Sequence, residues 1–439
     1  MQTRYLIIGN SAGGIGAAEA IREVDKEGAL AIISEEPYPT YSRPLISKYL
    51  TGERTLEEIL FRPLDFYDQN DIVFLPSKKV NHLELAHQMA QLEDSQQITW
   101  EKLVLAVGGK PIFPKMKGSD KEGVFTFTSL DDAKAIAGFT DNARKAVVIG
   151  GGLIGISVTE ALIKRGVEVS VVEMKQRVLN TILDKQASLM AEEILKQAGV
   201  EIIAGQTVAE IDGRGKVEEV TLDNGTAVPC DLVVVAIGVL PRPELASDAQ
   251  LEINRGIVVD RHMTTSHPGV YACGDVAEAY DFVYKENRLT PVWPNAYVGG
   301  RIAGLNMAGV PTEYPGGTAI NSLNYFGVDI ASAGMPTAPD DGYETISKKE
   351  SNTYQKIILK DDLIMGMIFV GNIERSGIIF GLMRDRVNVE SFKQSLLADD
   401  FGLAFFPREL WQERLALPPD IMIQPILPIE AEEETFLGE

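Results

Sequence analysis

The stretch AVVIGGGLIGISVTEALIKRGVEVSVVE, residues 146–173, decides the fold. It opens with the apolar run Ala146-Val147-Val148-Ile149, turns through Gly150-Gly151-Gly152, and continues from Leu153-Ile154-Gly155 into a helical pattern that reaches Lys164. A second apolar run follows from Val167 to Val172 and ends on Glu173. A strand, a glycine turn, a helix and a second strand closing on an acid about 20 residues later make up the unit that binds a dinucleotide on a parallel sheet. The glycines let backbone approach a pyrophosphate, and the helix N-terminus offers it unpaired N–H groups. Gly150, Gly152, Leu153, Ile154 and Gly155 are therefore candidate contacts, with Glu173 receiving the adenosine ribose hydroxyls. A carboxylate there repels a 2'-phosphate, so NAD(H) is expected in preference to NADP(H). Lys175 and Arg177 pull the other way, since either could reach back toward a phosphate. The alternative for this stretch is a nucleotide-type fold that binds nothing.

The same unit occurs nearer the N-terminus. Tyr5-Leu6-Ile7-Ile8 predicts a strand, Gly9-Asn10-Ser11-Ala12-Gly13-Gly14 a turn, and Ile15 to Val24 a helix. The strand Leu30-Ala31-Ile32-Ile33 then leads to Glu35, which can accept hydrogen bonds from a ribose. Gly9, Ser11, Ala12, Gly14 and Glu35 are candidate contacts of this site. Ser11 stands where the second glycine of the pattern belongs, and its side chain either crowds the pyrophosphate or donates a hydrogen bond to it. An ordinary tight turn between a buried strand and a helix is the alternative.

Two such units imply two dinucleotides, and the run from Thr264 to Asp275 indicates which is the flavin. It places a short strand ahead of Gly274 and Asp275 at an expected helix start. An aspartate there can bind a hydroxyl of a flavin's ribityl chain while neighbouring N–H groups face the pyrophosphate, although a plain helix cap would also favour aspartate.

Composition narrows the classes. With 439 residues, 45% of them hydrophobic, the chain should fold as two or three domains. A net charge of −22 opposes a nucleic-acid partner or an anionic membrane. No apolar stretch reaches the roughly 20 residues that cross a bilayer. The first strand begins too near Met1 for a signal peptide, so a cytoplasmic location is expected. Cys230 and Cys273 are the only cysteines and form no CxxC pair, which argues against a disulfide framework, an iron-sulfur cluster held by this chain alone, or an internal redox dithiol. His82, His87, His262 and His267 show no zinc-type grouping, so no metal site is expected.

Five ordered motifs together resemble the two-dinucleotide flavoproteins, the pyridine nucleotide-disulfide oxidoreductases in the broad sense. They are the two glycine turns, the strand ends Leu105-Ala106-Val107-Gly108 and Val235-Ala236-Ile237-Gly238-Val239-Leu240-Pro241, and Ala272-Cys273-Gly274-Asp275. The resemblance spans nearly the whole chain. It implies an α/β fold of two Rossmann-like domains of the glutathione reductase type plus a C-terminal α+β domain. A discontinuous FAD domain would span 1–113 and 242–318, an NAD domain 114–241, and a C-terminal interface domain 319–439, ending in an acidic tail around Glu432-Glu433-Glu434 that frays or docks on a partner. It further implies flavin-side contacts at Arg43, Lys48, Val80, Ala106, Gly108, Gly274 and Asp275, and a nicotinamide-side contact at Gly238. The segment Val292-Trp293-Pro294-Asn295-Ala296 starts a helix and is similar to the helix whose N-terminus faces the flavin pyrimidine, which adds Trp293, Asn295 and Ala296.

The chain departs from the disulfide reductases at Tyr41-Ser42-Arg43-Pro44-Leu45-Ile46-Ser47-Lys48, which holds no cysteine where their redox thiol lies. That stretch, with Pro37-Tyr38-Pro39, resembles rubredoxin and ferredoxin reductases, the nitrite reductase flavin domain, and flavin subunits of multi-subunit iron-sulfur enzymes. In several such relatives the lysine matching Lys48 approaches flavin N5 and pairs with a glutamate whose position here is Ser157. Either Glu160, one helical turn along, serves instead or the pair is not used. A solvated surface lysine is the plainer reading of Lys48, and close helix packing that of Ser157. The function implied is a flavoenzyme, with Lys48 as its catalytic candidate, moving hydride between NADH and FAD, and single electrons between FAD and an iron-sulfur protein or partner subunit, in either direction. The alternatives are an NADH oxidase or peroxidase-like enzyme and a redox-sensing flavoprotein subunit. Oligomerisation is left open.

Overall fold

Tyr5–Ile8 and Leu30–Ile33 are buried along their whole length, as apolar runs are when a parallel sheet is covered on both faces. They sit at the middle of a five-stranded parallel sheet ordered Val270–Ala272, Lys102–Leu105, Tyr5–Ile8, Leu30–Ile33, Ile72–Leu75. Helix α1 (Ala12–Val24) makes the crossover between the first two strands in the chain. The register aligns Ile8 with both Ile33 and Leu105, and Leu105 with Ala272. The carboxyl ends of four neighbouring strands therefore bring together Gly9, Ser34, Ala106 and Cys273. Short helices α2 (Ile46–Leu50) and α3 (Phe66–Gln69) and a three-stranded antiparallel sheet (Val80–Glu84, Met89–Leu92, Gln97–Thr99) complete this part. The structure is a computed structural model and describes residues 1–408.

The second glycine unit builds a matching parallel sheet, ordered Glu201–Ala204, Glu168–Glu173, Lys145–Ile149, Leu232–Val235, Val124–Thr126. Helix α4 (Leu130–Thr140) starts at a capping box in which Ser129 and Asp132 bond each other's backbone N–H groups. Helix α5 (Leu153–Lys164) follows the glycine turn, and α6 (Lys185–Gln197) is capped by Asp184, which accepts the Ala187 N–H at 3.0 Å. A two-stranded ribbon, Gly109–Pro111 with Val239–Pro241, carries the chain into and out of this region. Helix α7 (Glu244–Asp248) leads back toward the first sheet. Helix α8 (Trp293–Met307) then lies along α1, with a proline in its first turn as the Trp293-Pro294 start predicts.

Past Gly317 the chain forms a five-stranded antiparallel sheet, ordered Ile320–Tyr325, Val328–Gly334, Leu363–Val370, Tyr354–Lys360, Glu344–Lys349, with α9 (Ser376–Arg384) packed on it. The α/β reading with a C-terminal α+β part is borne out. Tyr325, Ile330, Tyr354, Ile368 and Val370 of this sheet share one apolar core with the second parallel sheet and with Ile46 and Leu50 of α2. A buried ion pair reinforces that union: Lys356 donates to Asp184 at 2.9 Å and the Tyr354 hydroxyl to the same oxygen at 2.8 Å. Residues 1–388 form one compact unit. A second begins at Val389, where the rings of Phe392 and Phe406 lie 5.4 Å apart. It holds the 3-10 turns Lys393–Ser395 and Leu403–Phe405. The proline-rich and acidic tail lies outside the described residues. Among the described residues no helix is long and apolar enough to cross a membrane.

Candidate functional site

Both glycine turns are built the same way. Gly9 and Gly150 sit at φ +119° and +108°, conformations that side chains resist, and their N–H groups donate to Ile33 and Val172 at 2.9 and 2.8 Å. A Cβ on Gly14 would stand 1.9 Å from the Gly9 carbonyl oxygen, and one on Gly155 would stand 1.8 Å from that of Gly150. In each turn the helix backbone thus lies directly on the strand end, which leaves the first N–H groups of α1 and α5 facing the end of the sheet. Around Gly152 the cradle is open: among the described residues nothing lies within 4 Å of where its Cβ would be. Ser11 caps α1 without a side-chain bond to that helix, so its hydroxyl can turn toward an anion. Ala12 follows it, buried, at the start of α1. Leu153 and Ile154 form the first turn of α5, and the Tyr325 hydroxyl donates to Leu153 O at 3.2 Å.

The acids at the strand ends differ. Glu173 is buried and accepts the N–H groups of Gly151 and Lys175, each at 2.7 Å. It therefore points into its own glycine turn, where ribose hydroxyls would compete for its lone pairs. Glu35 is held by Arg242, whose Nη2 lies 2.8 and 2.9 Å from its two oxygens. Arg242 also donates its backbone N–H to Gly108 O at 3.1 Å and so bridges two of the expected contacts. Val80 opens its strand two residues after Lys78, whose N–H donates to Ser34 O at 2.8 Å, beside Glu35.

Ala106, Cys273, Gly274 and the start of α8 gather at the first turn, with Asp275 next in the chain. A Cβ on Gly9 would meet Ala106 O at 2.1 Å, and one on Gly13 would meet Cys273 Sγ at 2.9 Å and Ala296 O at 3.4 Å. Gly274 is at φ +76° and faces the Ala296 Cβ. Asp275 does not begin an α-helix as the sequence reading expects: it lies in the single 3-10 turn Gly274–Val276, too short to carry a helix dipole. Burial pushes its carboxyl above the ordinary range, with the charge of Arg43 opposing. Arg43 itself spans from Glu36 Oε1 at 2.7 Å to Thr128 O at 3.0 Å. Asn295 donates to Thr318 O at 2.9 Å, and the Trp293 ring meets Phe61 edge-on at 5.1 Å. Gly238, at φ +117°, accepts the Ile112 N–H on the ribbon, beside the second turn. Each turn thus offers a close-packed backbone cradle and a strand-end acid, which is what a pyrophosphate and a ribose require.

Lys48 stands on α2, half-exposed, with Nζ 3.0 Å from Glu53 Oε2. Glu160, the acid considered for it, is instead engaged by Lys164 Nζ at 3.0 Å and by the Phe326 N–H at 3.3 Å. Sequence reading missed Glu53, Arg242 and Glu36. The signals were an acid just past α2, an arginine right after Pro241 and a second acid beside Glu35. Cys273 and Cys230 are unpaired and buried, and burial pushes each thiol up to about 12.

Comparison with known proteins agrees with this geometry. Residues 3–300 match the pyridine nucleotide-disulphide oxidoreductase family and residues 320–387 the rubredoxin NAD+ reductase C-terminal domain. The epsilon subunit of an NADH-dependent phenylglyoxylate dehydrogenase from Aromatoleum evansii is 31% identical over 91% of this chain and 96% of its own length. An assimilatory nitrate reductase electron transfer subunit from Bacillus subtilis (strain 168) is 30% identical over 92% of this chain, which spans about half of that relative (52%). In a covalent complex of putidaredoxin reductase with putidaredoxin, the matching chain superposes with a TM-score of 0.82 at 26% identity, covering 90% of this chain and 98% of that one.

Proposed function

The chain belongs to the pyridine nucleotide-disulphide oxidoreductase family, and from that premise we propose that it is an FAD-dependent NADH oxidoreductase exchanging electrons with an iron-sulfur protein or a partner subunit. The observation that carries this reading is the duplicated turn, with Gly14 against Gly9 and Gly155 against Gly150, each beside a strand-end acid. FAD, when bound, supplies the hydride acceptor and the means to release electrons singly.

The chain's own residues bind, orient and exclude water. Gly9, Ser11, Ala12 and Gly14 would hold the flavin pyrophosphate and Glu35 the adenosine ribose, with Val80, Ala106 and Gly108 along the nucleotide. Gly274 and Asp275 would take the ribityl chain, Trp293, Asn295 and Ala296 would bring the N-terminus of α8 to the pyrimidine, and Arg43 and Lys48 would flank the ring. NADH would lie on Gly150, Gly152, Leu153, Ile154 and Gly155, with Gly238 beside it and Glu173 on the ribose. We assign 1–113 with 242–318 to the FAD domain, 114–241 to the NAD domain and the remainder to the C-terminal domain. The pairing of Val270–Ala272 with Lys102–Leu105 supports that division. Two unpaired cysteines suit a reducing cytoplasm. A thiol-dependent oxidase or peroxidase reading loses its nucleophile, because both thiols are buried and stay protonated at neutral pH.

The test is anaerobic rapid mixing of the FAD-reconstituted chain with NADH and NADPH, followed by ferredoxin, rubredoxin, quinone and oxygen as acceptors. Flavin bleaching by NADH and fast reoxidation by an iron-sulfur protein are expected. A folded chain that stays colourless with excess FAD would end the proposal.

A further inference from the structure

The turn after α2 is folded so that one carboxylate serves two lysines. Gly52, at φ +76°, reverses the chain, while Thr51 donates its hydroxyl to Lys48 O at 2.9 Å and accepts the Glu53 N–H at 3.3 Å. Glu53 is thereby laid back over α2. Its Oε2 lies 3.0 Å from Lys48 Nζ and its Oε1 2.8 Å from Lys164 Nζ, at the far end of α5. Lys164 reaches Glu160 at 3.0 Å, and Glu160 accepts the Phe326 N–H from the hairpin of the third sheet. The next residue, Arg165, donates to Leu50 O, at the C-terminal end of α2, at 3.0 Å. Two consecutive basic residues at the end of the second glycine helix thus clasp the segment that carries Lys48.

We propose that Glu53 is the positioning residue for Lys48 in this chain, standing in for the acid absent at Ser157, and that Lys164 fixes it to α5. The proposal rests on the functional reading above, since it concerns the lysine expected beside the flavin. A lone exposed ion pair orders little. Here, however, the carboxylate also separates two ammonium groups. Without its charge, Lys48 and Lys164 repel each other, so Lys48 is driven off rather than merely released. The hydrogen bonds from Lys164 and Lys48 hold the Glu53 carboxyl down to about 2, so it stays charged across the physiological range.

The experiment uses the full chain reconstituted with FAD and its variants Glu53→Gln, Lys48→Met, the double variant, Lys164→Met, and Glu53→Gln combined with Ser157→Glu. The readouts are the limiting rate of flavin reduction by NADH, the NADH Kd, the flavin midpoint potential and the melting temperature. Glu53→Gln and Lys48→Met should each slow reduction about tenfold, and the double variant no further, as coupled residues do. Both should lower the midpoint potential, because a positive charge has left the flavin, with NADH Kd unchanged and melting temperature within about 2 °C. Lys164→Met should follow Glu53→Gln in part, and it carries the test if Glu53→Gln does not fold. Ser157→Glu in the Glu53→Gln background should restore rate and potential, because the resemblance implies a carboxylate at that position as the partner of this lysine. An unchanged rate and potential in Glu53→Gln, or additive losses in the double variant, overturns the proposal. Failure of NADH to reduce the unaltered chain overturns the functional reading instead, and this inference falls with it.

Discussion

The two glycine turns share a backbone and differ in what holds them from outside. Helix α1 is pressed backbone to backbone on α8: a Cβ on Gly300 would stand 2.0 Å from Gly13 O, one on Gly304 2.3 Å from Ala17 O, and one on Gly16 2.4 Å from Tyr297 O. Helix α5 is held by side chains, through Tyr325 on Leu153, the Phe326 N–H on Glu160, and Lys164 and Arg165 on the α2 segment. Close-packed backbones cannot separate without unpacking a core, whereas side-chain contacts can exchange. That difference suits a resident flavin at the first turn and a nicotinamide dinucleotide that comes and goes at the second.

The harshest way to break the comparison is Gly300→Val. Its side chain would collide with the Gly13 backbone, and neither helix has a flexible atom there to yield. The expected outcome is loss of bound FAD together with loss of folded, soluble protein, read from flavin absorbance per chain and from thermal melting. Retention of flavin at normal stoichiometry would show that the first turn is not locked by α8.

A milder cut tests the side-chain fastening of the second region. Burial pushes the Asp184 carboxyl up, but the Ala187 N–H, Lys356 and Tyr354 outweigh it and hold the group below the ordinary carboxylate range. A carboxyl with a depressed folded pKa adds stability that is complete above the unfolded value, about 3.9, and is lost as pH falls through the folded one. Lys356→Met leaves that carboxylate buried without its cation, a loss of about 3–5 kcal/mol at neutral pH. Melting temperature measured against pH should therefore drop most near neutrality and least in acid, with FAD still bound. Loss of flavin in this variant would mean that the two regions are not separately held.

The central strands of both sheets could be read from the sequence because they are buried on both faces and so appear as unbroken apolar runs, Tyr5–Ile8 and 146–149 among them. The glycine turns and the Trp293-Pro294 start of α8 were legible for the same local reason. The partners that complete the site were not. Arg242 and Glu35 lie 207 residues apart, Tyr354 and Asp184 lie 170 apart, and no periodicity links them. Glu53 is hidden because the helical period offers Lys48 a partner on α5, at Glu160, while the turn at Gly52 brings the acid from its own segment. An aspartate that caps a helix and one in a 3-10 turn look alike in sequence, which is why the pattern at Asp275 predicts a helix start that the fold replaces with a single 3-10 turn.

The finest distinction lies between the strand-end acids. Glu173 is 9% exposed and ties together its own glycine turn through the Gly151 and Lys175 N–H groups, so truncation removes the bonds that shape the loop together with the ribose acceptor proposed above. Glu35 has a side chain 42% exposed and is already neutralised by Arg242, which keeps its backbone bond to Gly108 whatever happens to the acid. Glu173→Ala should therefore weaken NADH binding about tenfold and narrow its preference over NADPH, since a 2'-phosphate no longer meets a carboxylate. Glu35→Ala should weaken FAD binding by about threefold or less, because water replaces an exposed, charge-paired acceptor. Calorimetric titration of each nucleotide into each variant measures both ratios. If Glu35→Ala proves the more damaging, the exposed acid carries the tighter cofactor and the contrast drawn between the two turns is reversed.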